Sequence, residues 1–393
     1  MIKKIIFLII ACIFYVNLNS VYPIIIKGNH IIWSTEDENE FLYSVYGKST
    51  GKKIWKIYNI KEKTGITLFY DTGVVPVWSF DGKKIVTARK DKVDIYFSPD
   101  SKKSYTLAAD EVVDIDLSYN GKKIVYSDGT EIYLLDLETG ENSLLGKGKK
   151  PAFINKDKAI IFFNEEFFLS AFDKNLQMKV ITTNFIKNVF PFKTSNKIVF
   201  QDTDSSKIKL FDLDLNVYKE IIIVDENDEI IDFSVSPDNN FLIYILKNGG
   251  LYLVHIPTHL KIKILNEYGI FTPKISKNNK YCSYEKENQI YIKEISNYIK
   301  AFNFDKIFKV NMGASQGITI GTSIEVYEER KNPFTGEVIG MDVNKFKGVL
   351  KVITVYDSYC YCKIDEEFKT DKSIEINDIA YWKEKNVMGV VTR

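Results

Sequence analysis

The chain has 393 residues, enough for two domains, and its 45% hydrophobic and 27% charged residues are an ordinary globular balance. The formal net charge of +1 gives no global field that would select nucleic acid or an anionic membrane as a partner. Aromatic residues make up 14% of the chain, which favours sheets because flat rings pack well on a pleated surface.

The first twenty residues are predicted to be a signal peptide that is cleaved near Ser20. Lys3 and Lys4 form a basic start, and the apolar run from Ile5 to Val16 is too short for a comfortable membrane span. A lipid anchor on Cys12 and an uncleaved anchor are the alternatives. The sequence before Cys12 fits a loose lipobox, but the residues after it stay apolar where a mature lipoprotein turns polar. The expected location is the periplasm or cell envelope, with membrane contact only peripheral or through this N-terminus.

A repeat of about 40 residues follows this segment. Each copy begins with a turn that leads into an apolar strand, and the clearest copy is W-S-F-D-G-K-K-I at residues 78–85. An Asp-Gly or Asn-Gly turn accepts positive φ between two strands. The copies are marked by Gly28, Asp81, Asn120, Lys156, Asn196, Asp238 and Asn278. After a first interval of 53 residues, the intervals lie between 36 and 42 residues, which is the period of a propeller blade.

The repeat predicts an all-β chain, with a seven-bladed β-propeller over residues 21–300. A four-stranded blade cannot bury both of its faces alone, whereas a closed ring of blades can. Six blades with an irregular N-terminal strand pair are the alternative, because the first copy is divergent and the fourth and fifth copies lack the Asp-Gly turn. The long first interval predicts an extra polar loop around Glu36 to Lys53.

Two segments resemble the repeat of TolB-like propellers, the WD40-like family of the cell envelope. They are W-S-F-D-G-K-K-I at residues 78–85, where Phe80 replaces the usual proline, and S-P-D-N-N at residues 236–240. The resemblance covers about residues 22 to 300. It implies a propeller fold and a place in the envelope.

From about Asp305 the repeat stops, and four to six short strands predict a small β-barrel or SH3-like domain over residues 305–393. Three segments, G-I-T-I-G-T-S-I-E-V-Y, N-P-F-T-G-E-V-I-G and G-V-L-K-V, resemble the C-terminal domain of flagellar assembly protein T. Asn377-Asp378 stands where that family tends to have a glycine-aspartate pair. The resemblance covers under a quarter of the chain and implies an envelope interaction module without assigning site residues.

The chain is predicted not to be an enzyme, although residues 313–317 (G-A-S-Q-G) match the G-x-S-x-G of a hydrolase nucleophile elbow. An elbow needs a helix after the serine, but the sequence from Ile318 onward reads as a strand. A triad also needs a histidine after Ser315, whereas His30, His255 and His259 all lie upstream.

No metal, cofactor or catalytic residue is predicted. His255 and His259 flank a proline in a strand-turn context rather than on one helix face, which argues against a shared metal ion. The acidic pairs at 202–204 and 212–214 lack the glycine and distal glutamate of a calcium loop.

Three cysteines, Cys282, Cys360 and Cys362, remain after the signal peptide, an odd number that implies no complete disulfide framework. Cys360 and Cys362 are two residues apart, a spacing that puts them on one side of a strand and gives poor disulfide geometry. Packing as small residues in a sheet is the interpretation that fits this spacing.

The expected function is a non-enzymatic, exported scaffold for protein–protein interaction, whose partner is another envelope protein or complex. The propeller offers its top face or central channel, and the C-terminal domain offers a second surface. Trp55, Tyr58 and Tyr96 are aromatic candidates for that contact, with packing in the sheet as the alternative for each. A surface-exposed adhesin or ligand-binding propeller is the second hypothesis.

Overall fold

The structure is a computed structural model. It describes residues 23–47, 51–70, 74–98, 101–109, 111–166, 168–173, 175–182, 186–202, 207–214, 217–224, 228–302, 307–335, 337–365, 368, 370 and 372–392. The predicted signal peptide therefore lies outside the described residues. The chain divides into two compact units, one of residues up to 256 together with 261–297, and one of residues 257–260 together with 298–393.

Seven four-stranded antiparallel sheets form the first unit, which confirms the predicted propeller and its seven blades. The first three blades are β2 (Asn29–Trp33), β3 (Glu40–Tyr46), β4 (Lys53–Asn59) and β5 (Thr64–Tyr70); β6 (Val77–Trp78), β7 (Ile85–Arg89), β8 (Lys92–Ser98) and β9 (Ser101–Thr106); β10 (Asp114–Leu117), β11 (Lys123–Ser127), β12 (Glu131–Asp136) and β13 (Asn142–Lys147). The next three are β14 (Lys149–Ile154), β15 (Ala159–Phe163), β16 (Leu169–Phe172) and β17 (Met178–Thr182); β18 (Ile186–Pro191), β19 (Lys197–Asp202), β20 (Lys207–Asp212) and β21 (Val217–Ile223); β22 (Ile230–Val235), β23 (Phe241–Leu246), β24 (Leu251–His255) and β25 (Leu260–Leu265).

The seventh blade joins the two ends of the repeat array. It contains β26 (Phe271–Ile275), β27 (Tyr281–Lys286) and β28 (Gln289–Glu294), and its fourth strand is the N-terminal β1 (Ile24–Lys27). β1 runs antiparallel to β28, with Ile26 opposite Ile290. A strand from the start of the chain therefore closes the ring, which removes the free edge that an open array would leave.

The predicted loop around Glu36 to Lys53 is wrong, because β3 occupies Glu40–Tyr46. Gly28 precedes the first strand of its blade, whereas the other markers lie in the turn after that strand. The equivalent turn follows β2 and is closed by Ser34 N–H donating to the Glu40 carbonyl at 2.9 Å. The long first interval thus came from a marker in a different position of the repeat.

A serine at the end of the first strand holds the repeated turn. Ser79 Oγ donates to Asp81 Oδ1 at 2.6 Å and accepts the Lys84 N–H at 2.9 Å. Ser118 and Ser236 make the equivalent bonds in the third and sixth blades. Each of these serines is buried, so a lost hydroxyl would leave backbone groups without a partner. The recurring serine and acidic or amide residue are therefore one hydrogen-bonded unit.

Gly82 in the clearest copy has a φ of 72°, in the left-handed region. A Cβ at this position would lie 2.2 Å from the Glu36 Cβ of the neighbouring blade. Both the backbone conformation and the close approach require glycine here.

Stacked tyrosines recur between the second and third strands of the blades. Tyr126 and Tyr133 stack at 5.1 Å between ring centroids, and Tyr244 and Tyr252 stack at the same distance. The members of each pair are direct cross-strand neighbours, the arrangement in which side chains stabilise a sheet most directly. These pairs account for part of the high tyrosine content.

The second unit is a closed six-stranded barrel, which confirms the predicted small β-barrel. Its strands are β29 (Ile307–Val310), β30 (Ser323–Lys331), β31 (Val338–Val355), β32 (Cys360–Ile364), β33 (Ile379–Trp382) and β34 (Val387–Thr392), in the order β29-β32-β31-β30-β33-β34. β29 closes the barrel because it pairs with both β32 and β34. Before the barrel comes α1 (Ser296–Ala301). Among the described residues, no helix has the length and apolar character needed to cross a membrane.

A buried ion pair lies beside the barrel core. Lys347 Nζ is 2.9 Å from Asp378 Oδ1, and both side chains are under one-tenth exposed. Asp378 Oδ2 also accepts the Glu375 N–H at 2.6 Å, so the carboxylate is well satisfied. Asn377 has a φ of 76°, in the left-handed region that favours glycine and, after it, asparagine. Asparagine can therefore occupy this position with little strain.

Candidate functional site

The first strands of the blades surround the propeller axis. Neighbouring first strands contact each other, as β22 does with β26 and β2 with β26. A cavity of about 490 Å³ lies among them, and its apolar walls include Val75, Val77, Trp78, Phe190 and Ile275. Ligand pockets generally have volumes of about 300–1,000 Å³. We call this cavity the lumen pocket.

Bulges in the first strands place polar residues at the lumen pocket. The register of β2 shifts between Asn29 and Ile32, and that of β26 shifts between Phe271 and Lys274. His30 in the first bulge has a φ of 56°, and Thr272 in the second has a φ of 47°. Positive φ is unusual for any residue with a side chain and is an outlier for a β-branched one, so the surrounding structure must maintain it.

Glu285 is the acidic residue among the described residues that line the lumen pocket. The residue is 3% exposed, and Glu285 Oε1 accepts the His30 N–H at 2.9 Å. The second carboxylate oxygen has no hydrogen-bond partner among the described residues. A carboxylate with an oxygen left unbonded in an apolar cavity is ready to accept a hydrogen bond from a bound molecule.

Lys274 provides a positive charge in the same pocket. Its Nζ lies over the Phe190 ring, 5.1 Å from the ring centroid, in a cation–π contact. The ammonium has no hydrogen-bond acceptor among the described residues, and the buried Thr272 hydroxyl also has none. Burial lowers the pKa of Lys274, and the Asp232 and Glu285 carboxylates oppose that shift.

Two neighbouring groups respond to the same apolar surroundings. Burial raises the pKa of Asp232, against the opposing charge of Lys274 and the N–H groups of Phe233 and Thr272. Burial and the Lys53 charge lower the pKa of His30. Lys274 in the pocket and Asp232 beside it are thus short of hydration, and a bound molecule with a hydrogen-bond acceptor can restore a polar contact at Lys274.

A second cavity of about 310 Å³ shares Val75 and Val77 with the lumen pocket and is also lined by Asp114 and Lys150. Lys150 has a φ of 52°, and its N–H donates to Asp114 Oδ2 at 3.2 Å. Burial raises the pKa of Asp114, which this hydrogen bond opposes. The axis of the propeller is therefore lined by apolar walls interrupted by single charged groups.

This arrangement suits binding of an amphipathic segment. Apolar walls can bury side chains, while Glu285 and Lys274 can accept and donate hydrogen bonds to a backbone or a charged group. Sequence reasoning missed this pocket, because it considered His30 only as a histidine upstream of Ser315 and did not single out Lys274. A charged residue within an otherwise apolar first strand, as at Asp232, is the signal that could have indicated it.

Ser315 does not stand in a hydrolase elbow geometry. Ala314–Gln316 is a single 3-10 turn, and the next strand begins at Ser323, so the strand predicted from Ile318 is wrong. The Ser315 hydroxyl donates to the Asp357 carbonyl at 2.7 Å. The structure thus places this serine in a turn that is fixed by a neighbouring loop.

The histidines and acidic residues that were predicted not to bind a metal lie at strand ends or in turns. His255 ends β24, where burial lowers its pKa to about 4, and His259 lies in a turn with a φ of 55°. Asp212 Oδ1 accepts the Asp214 N–H at 3.0 Å, as a turn carboxylate does, while residues 203–204 lie outside the described residues. Among the described residues there is no cluster of three or more His, Cys, Asp or Glu side chains that could hold a metal ion.

The three cysteines are free and buried. Cys360 and Cys362 face the same side of β32, with their Sγ atoms 3.5 Å apart. The thiol contact and burial raise the pKa of Cys362, and burial raises that of Cys282 to about 12. These values favour the protonated, unreactive thiol.

The aromatic candidates pack within the sheets. Trp55 is completely buried, and Tyr58 and Tyr96 are half-buried. Tyr58 packs against Phe41 at 5.4 Å and Tyr96 against Phe69 at 4.9 Å between ring centroids. Their predicted alternative role, packing in the sheet, is the one that the structure supports.

No protein-family model matches the chain, and no curated protein matches it. Several solved structures do match the chain. An oligogalacturonate lyase in complex with manganese has a TM-score of 0.56 at 10% identity over 68% of this chain and 89% of that one. The Cps50 (Swd1) β-propeller domain of Myceliophteria thermophila has a TM-score of 0.55 at 10% identity over 69% and 98%. The oligogalacturonate lyase of Vibrio parahaemolyticus has a TM-score of 0.54 at 10% identity over 71% and 100%. At this identity the likeness shows the fold alone, a WD40-like seven-bladed propeller.

Proposed function

We propose that this chain is a non-enzymatic, exported scaffold of the cell envelope, and that its propeller binds a segment of another protein in the lumen pocket. The resemblance to TolB-like propellers supports the envelope location, and the resemblance of the barrel to the flagellar assembly protein T domain supports an interaction role for that unit. The predicted signal peptide supports export.

The observation that carries the proposal is the composition of the lumen pocket. Its walls are apolar, yet Glu285 and Lys274 each offer a polar group with no partner for it among the described residues. An extended peptide supplies backbone donors, backbone acceptors and side chains at once, so it can satisfy both kinds of surface. A purely apolar ligand would leave the two charges without hydration.

The likeness to oligogalacturonate lyases does not carry an enzymatic proposal. It rests on 10% identity, at which propellers of unrelated function share the same architecture. Binding therefore remains the function that the geometry supports best.

Filling the lumen pocket with a large side chain tests the proposal. Val75 lines the pocket and is 49% exposed, so Val75→Trp should block a bound segment without disturbing the core. Val180→Trp is the matched control, because Val180 is 41% exposed on β17, the outer strand of its blade. We expect proteins captured from the envelope fraction by the wild type and by Val180→Trp to be lost with Val75→Trp. Equal capture by both variants would contradict binding in the lumen.

The location is tested separately. The intact mass of the purified mature chain shows whether the N-terminus is removed near Ser20, and protease treatment of whole cells distinguishes a periplasmic chain from a surface-exposed one. A full-length chain in the cytoplasmic fraction would contradict export.

A further inference from the structure

The lumen pocket contains an ammonium group that has no hydrogen-bond acceptor. Lys274, on β26, places its Nζ over the Phe190 ring, 5.1 Å from the ring centroid. It forms no hydrogen bond or ion pair with any described residue, and the nitrogen is not completely buried. An aromatic face attracts the charge of a lysine but does not replace the lone pairs that its N–H groups seek. A molecule in the pocket can therefore reach an ammonium whose donors are free.

The carboxylates near Lys274 are already held by other donors. Glu285 Oε1 accepts the His30 N–H at 2.9 Å, and Asp232 Oδ1 accepts the Phe233 N–H at 2.8 Å. The two carboxylate charges oppose the lowering of the lysine pKa by burial, but among the described residues neither carboxylate forms an ion pair with the lysine. Each acidic group thus has a backbone partner, whereas Lys274 has none.

A serine adds a second donor to the pocket wall. Ser234 lies in β22, a first strand that contacts β26, and it lines the pocket. The residue is only 3% exposed, and its hydroxyl is not completely buried and forms no hydrogen bond to a described residue. The two indole donors of the wall are already used. Trp33 Nε1 donates to Ser283 Oγ at 3.0 Å, and Trp78 Nε1 donates to a carbonyl of β2 at 3.4 Å.

Free donors therefore exceed free acceptors in this wall. The ammonium supplies several N–H groups and Ser234 a hydroxyl, whereas Glu285 has one oxygen without a partner among the described residues. A carboxylate corrects this excess, because its oxygens accept several hydrogen bonds and its charge compensates that of Lys274. A neutral amide accepts fewer hydrogen bonds and brings no charge. An ammonium on the ligand would add donors and repel Lys274.

We propose that the segment bound in the lumen pocket presents a carboxylate, which accepts hydrogen bonds from Lys274 Nζ, with the Ser234 hydroxyl as a further donor in the same wall. A backbone N–H of the segment donates to the free oxygen of Glu285. This inference rests on the proposed function and names the chemical group that the pocket selects. The carboxylate has two sources, the C-terminus of a chain and an acidic side chain, and its chemistry at Lys274 is the same for both.

Three small probes with one carbon skeleton test this chemistry. Isocaproate, isocaproamide and isohexylamine carry a carboxylate, an amide and an ammonium, respectively. Saturation-transfer NMR titration against the full-length chain at neutral pH gives their dissociation constants. We expect isocaproate to bind at least about fivefold more tightly than isocaproamide, the factor that separates a charge-assisted hydrogen bond from a neutral one. Isohexylamine should bind more weakly than isocaproate.

Removing the lysine charge isolates the contribution of Lys274. Lys274→Met keeps an unbranched chain over the Phe190 ring, and we expect it to bind isocaproate no more tightly than isocaproamide. Lys274→Arg keeps a cation and should retain the preference for the carboxylate. Lys263→Met is the matched control, because Lys263 Nζ lies 5.4 Å from the Tyr252 ring centroid in the same kind of contact but does not line the pocket. Thermal unfolding of each variant shows whether it is folded.

Equal binding of isocaproate and isocaproamide overturns the proposal, as does tighter binding of isohexylamine or a carboxylate preference that survives in Lys274→Met. Val75→Trp separates this failure from failure of the proposed function. If the probes bind alike and Val75→Trp blocks them, the pocket binds ligands and only the carboxylate is wrong. If Val75→Trp leaves their binding unchanged, the lumen pocket is not the site, and the proposed function fails as well. No binding of isocaproate also overturns the proposal, and capture by Val75→Trp against the wild type then decides the proposed function alone.

Three acetylated tripeptides identify the source of the carboxylate. A tripeptide of leucine and valine with a free C-terminus is compared with its C-terminal amide and with an amide that ends in aspartate. Tighter binding of the free acid than of the aspartyl amide assigns the C-terminus of a chain, and the reverse order assigns an acidic side chain. A plain amide that binds as tightly as both overturns the proposal.

Discussion

The propeller and the barrel are both closed antiparallel sheet structures, but they leave different surfaces behind. In the propeller, one local turn recurs in several blades, as at Ser79 and Asp81, and the N-terminal β1 completes the last blade. Among the described residues of the barrel no unit repeats, and β30 runs past the point where its neighbour β33 begins, at Ile379 opposite Tyr327. Closure of the ring brings the first strands of the blades together, and a cavity lies among them. In the barrel, β33 pairs with β30 only from Glu325 to Tyr327, so the two strands do not match in length.

A buried and an exposed phenylalanine give the largest contrast between the two units. Phe233 in the propeller is completely buried and packs against Phe190 at 5.0 Å between ring centroids. Phe233→Ala is expected to lower the free energy of unfolding of the propeller by about 3–5 kcal/mol, through lost burial and the cavity left behind. Urea denaturation followed by tryptophan fluorescence measures this. Phe334→Ala in the barrel is the control and should change stability by less than about 0.5 kcal/mol. Similar costs for the two variants would contradict the assigned burial.

The serine of the repeated turn is the next test, because the second unit offers an exposed turn serine, Ser315, for comparison. Ser79→Ala removes the acceptor of the Lys84 N–H at a buried site, and we expect a loss of about 1–3 kcal/mol in the free energy of unfolding. Ser315→Ala removes only an exposed hydroxyl that donates to a carbonyl, so its cost should be smaller. Thermal unfolding of both variants measures the difference. A turn serine that proves as dispensable as Ser315 would count against the turn as the unit that defines the blade.

His255 belongs to the propeller, and no histidine lies in the strands of the barrel. Burial lowers the pKa of His255 to about 4, below the value of about 6.5 in an unfolded chain. The unfolded chain therefore takes up a proton first as the pH falls, and stability is lost between about pH 6.5 and 4. Because the ring is partly exposed, we expect this loss to be only about 1–2 kcal/mol.

The variant His255→Asn isolates this effect. Its free energy of unfolding should differ from that of the wild type by a constant amount above about pH 7, and the wild type should lose stability relative to the variant as the pH falls. A difference between the two proteins that does not change between pH 7 and 4 would mean that the histidine pKa is not lowered by folding.

The smallest expected effect concerns a left-handed residue of the barrel. Asn377 has a φ of 76°, so Asn377→Gly should change the free energy of unfolding by less than about 1 kcal/mol, whereas Asn377→Val should destabilise the barrel clearly. In the propeller, Gly82→Ala should cost more than Asn377→Gly, because a Cβ there approaches Glu36 as well as meeting an unfavourable φ. Chemical denaturation of the three variants gives this order. A large cost for Asn377→Gly would show that the asparagine side chain has a role beyond its backbone conformation.

The turn chemistry of the propeller could be predicted because it is local. Ser79, Asp81 and Gly82 lie within four residues, and their hydrogen bonds and backbone angles recur wherever the same residues recur. The first interval between markers was too long, because Gly28 in the divergent first copy lies at a different point of the repeat from the serine-containing turn. The barrel was predicted only as a class of fold, since its strands have no common spacing from which an order could be derived.

The candidate site could not be predicted, because its members are distant in sequence. The His30 N–H and the Glu285 carboxylate that accepts it are 255 residues apart. Nothing in the residues around either position indicates the other. The barrel shows the same limit, because nothing in the residues around Tyr327 or Ile379 indicates that the pairing of β30 with β33 stops there.

The sequence by itself determined the blade, its turn and its approximate number of copies, because these follow from hydrogen bonds and apolar alternation among residues close along the chain. The tertiary structure alone decided that β1 closes the seventh blade, that Glu285 and Lys274 line one apolar pocket, and that β33 pairs with β30 only from Glu325 to Tyr327. The physical reason is that strand register and ring closure are set by contacts between distant segments. Such contacts arise only when the whole core is assembled.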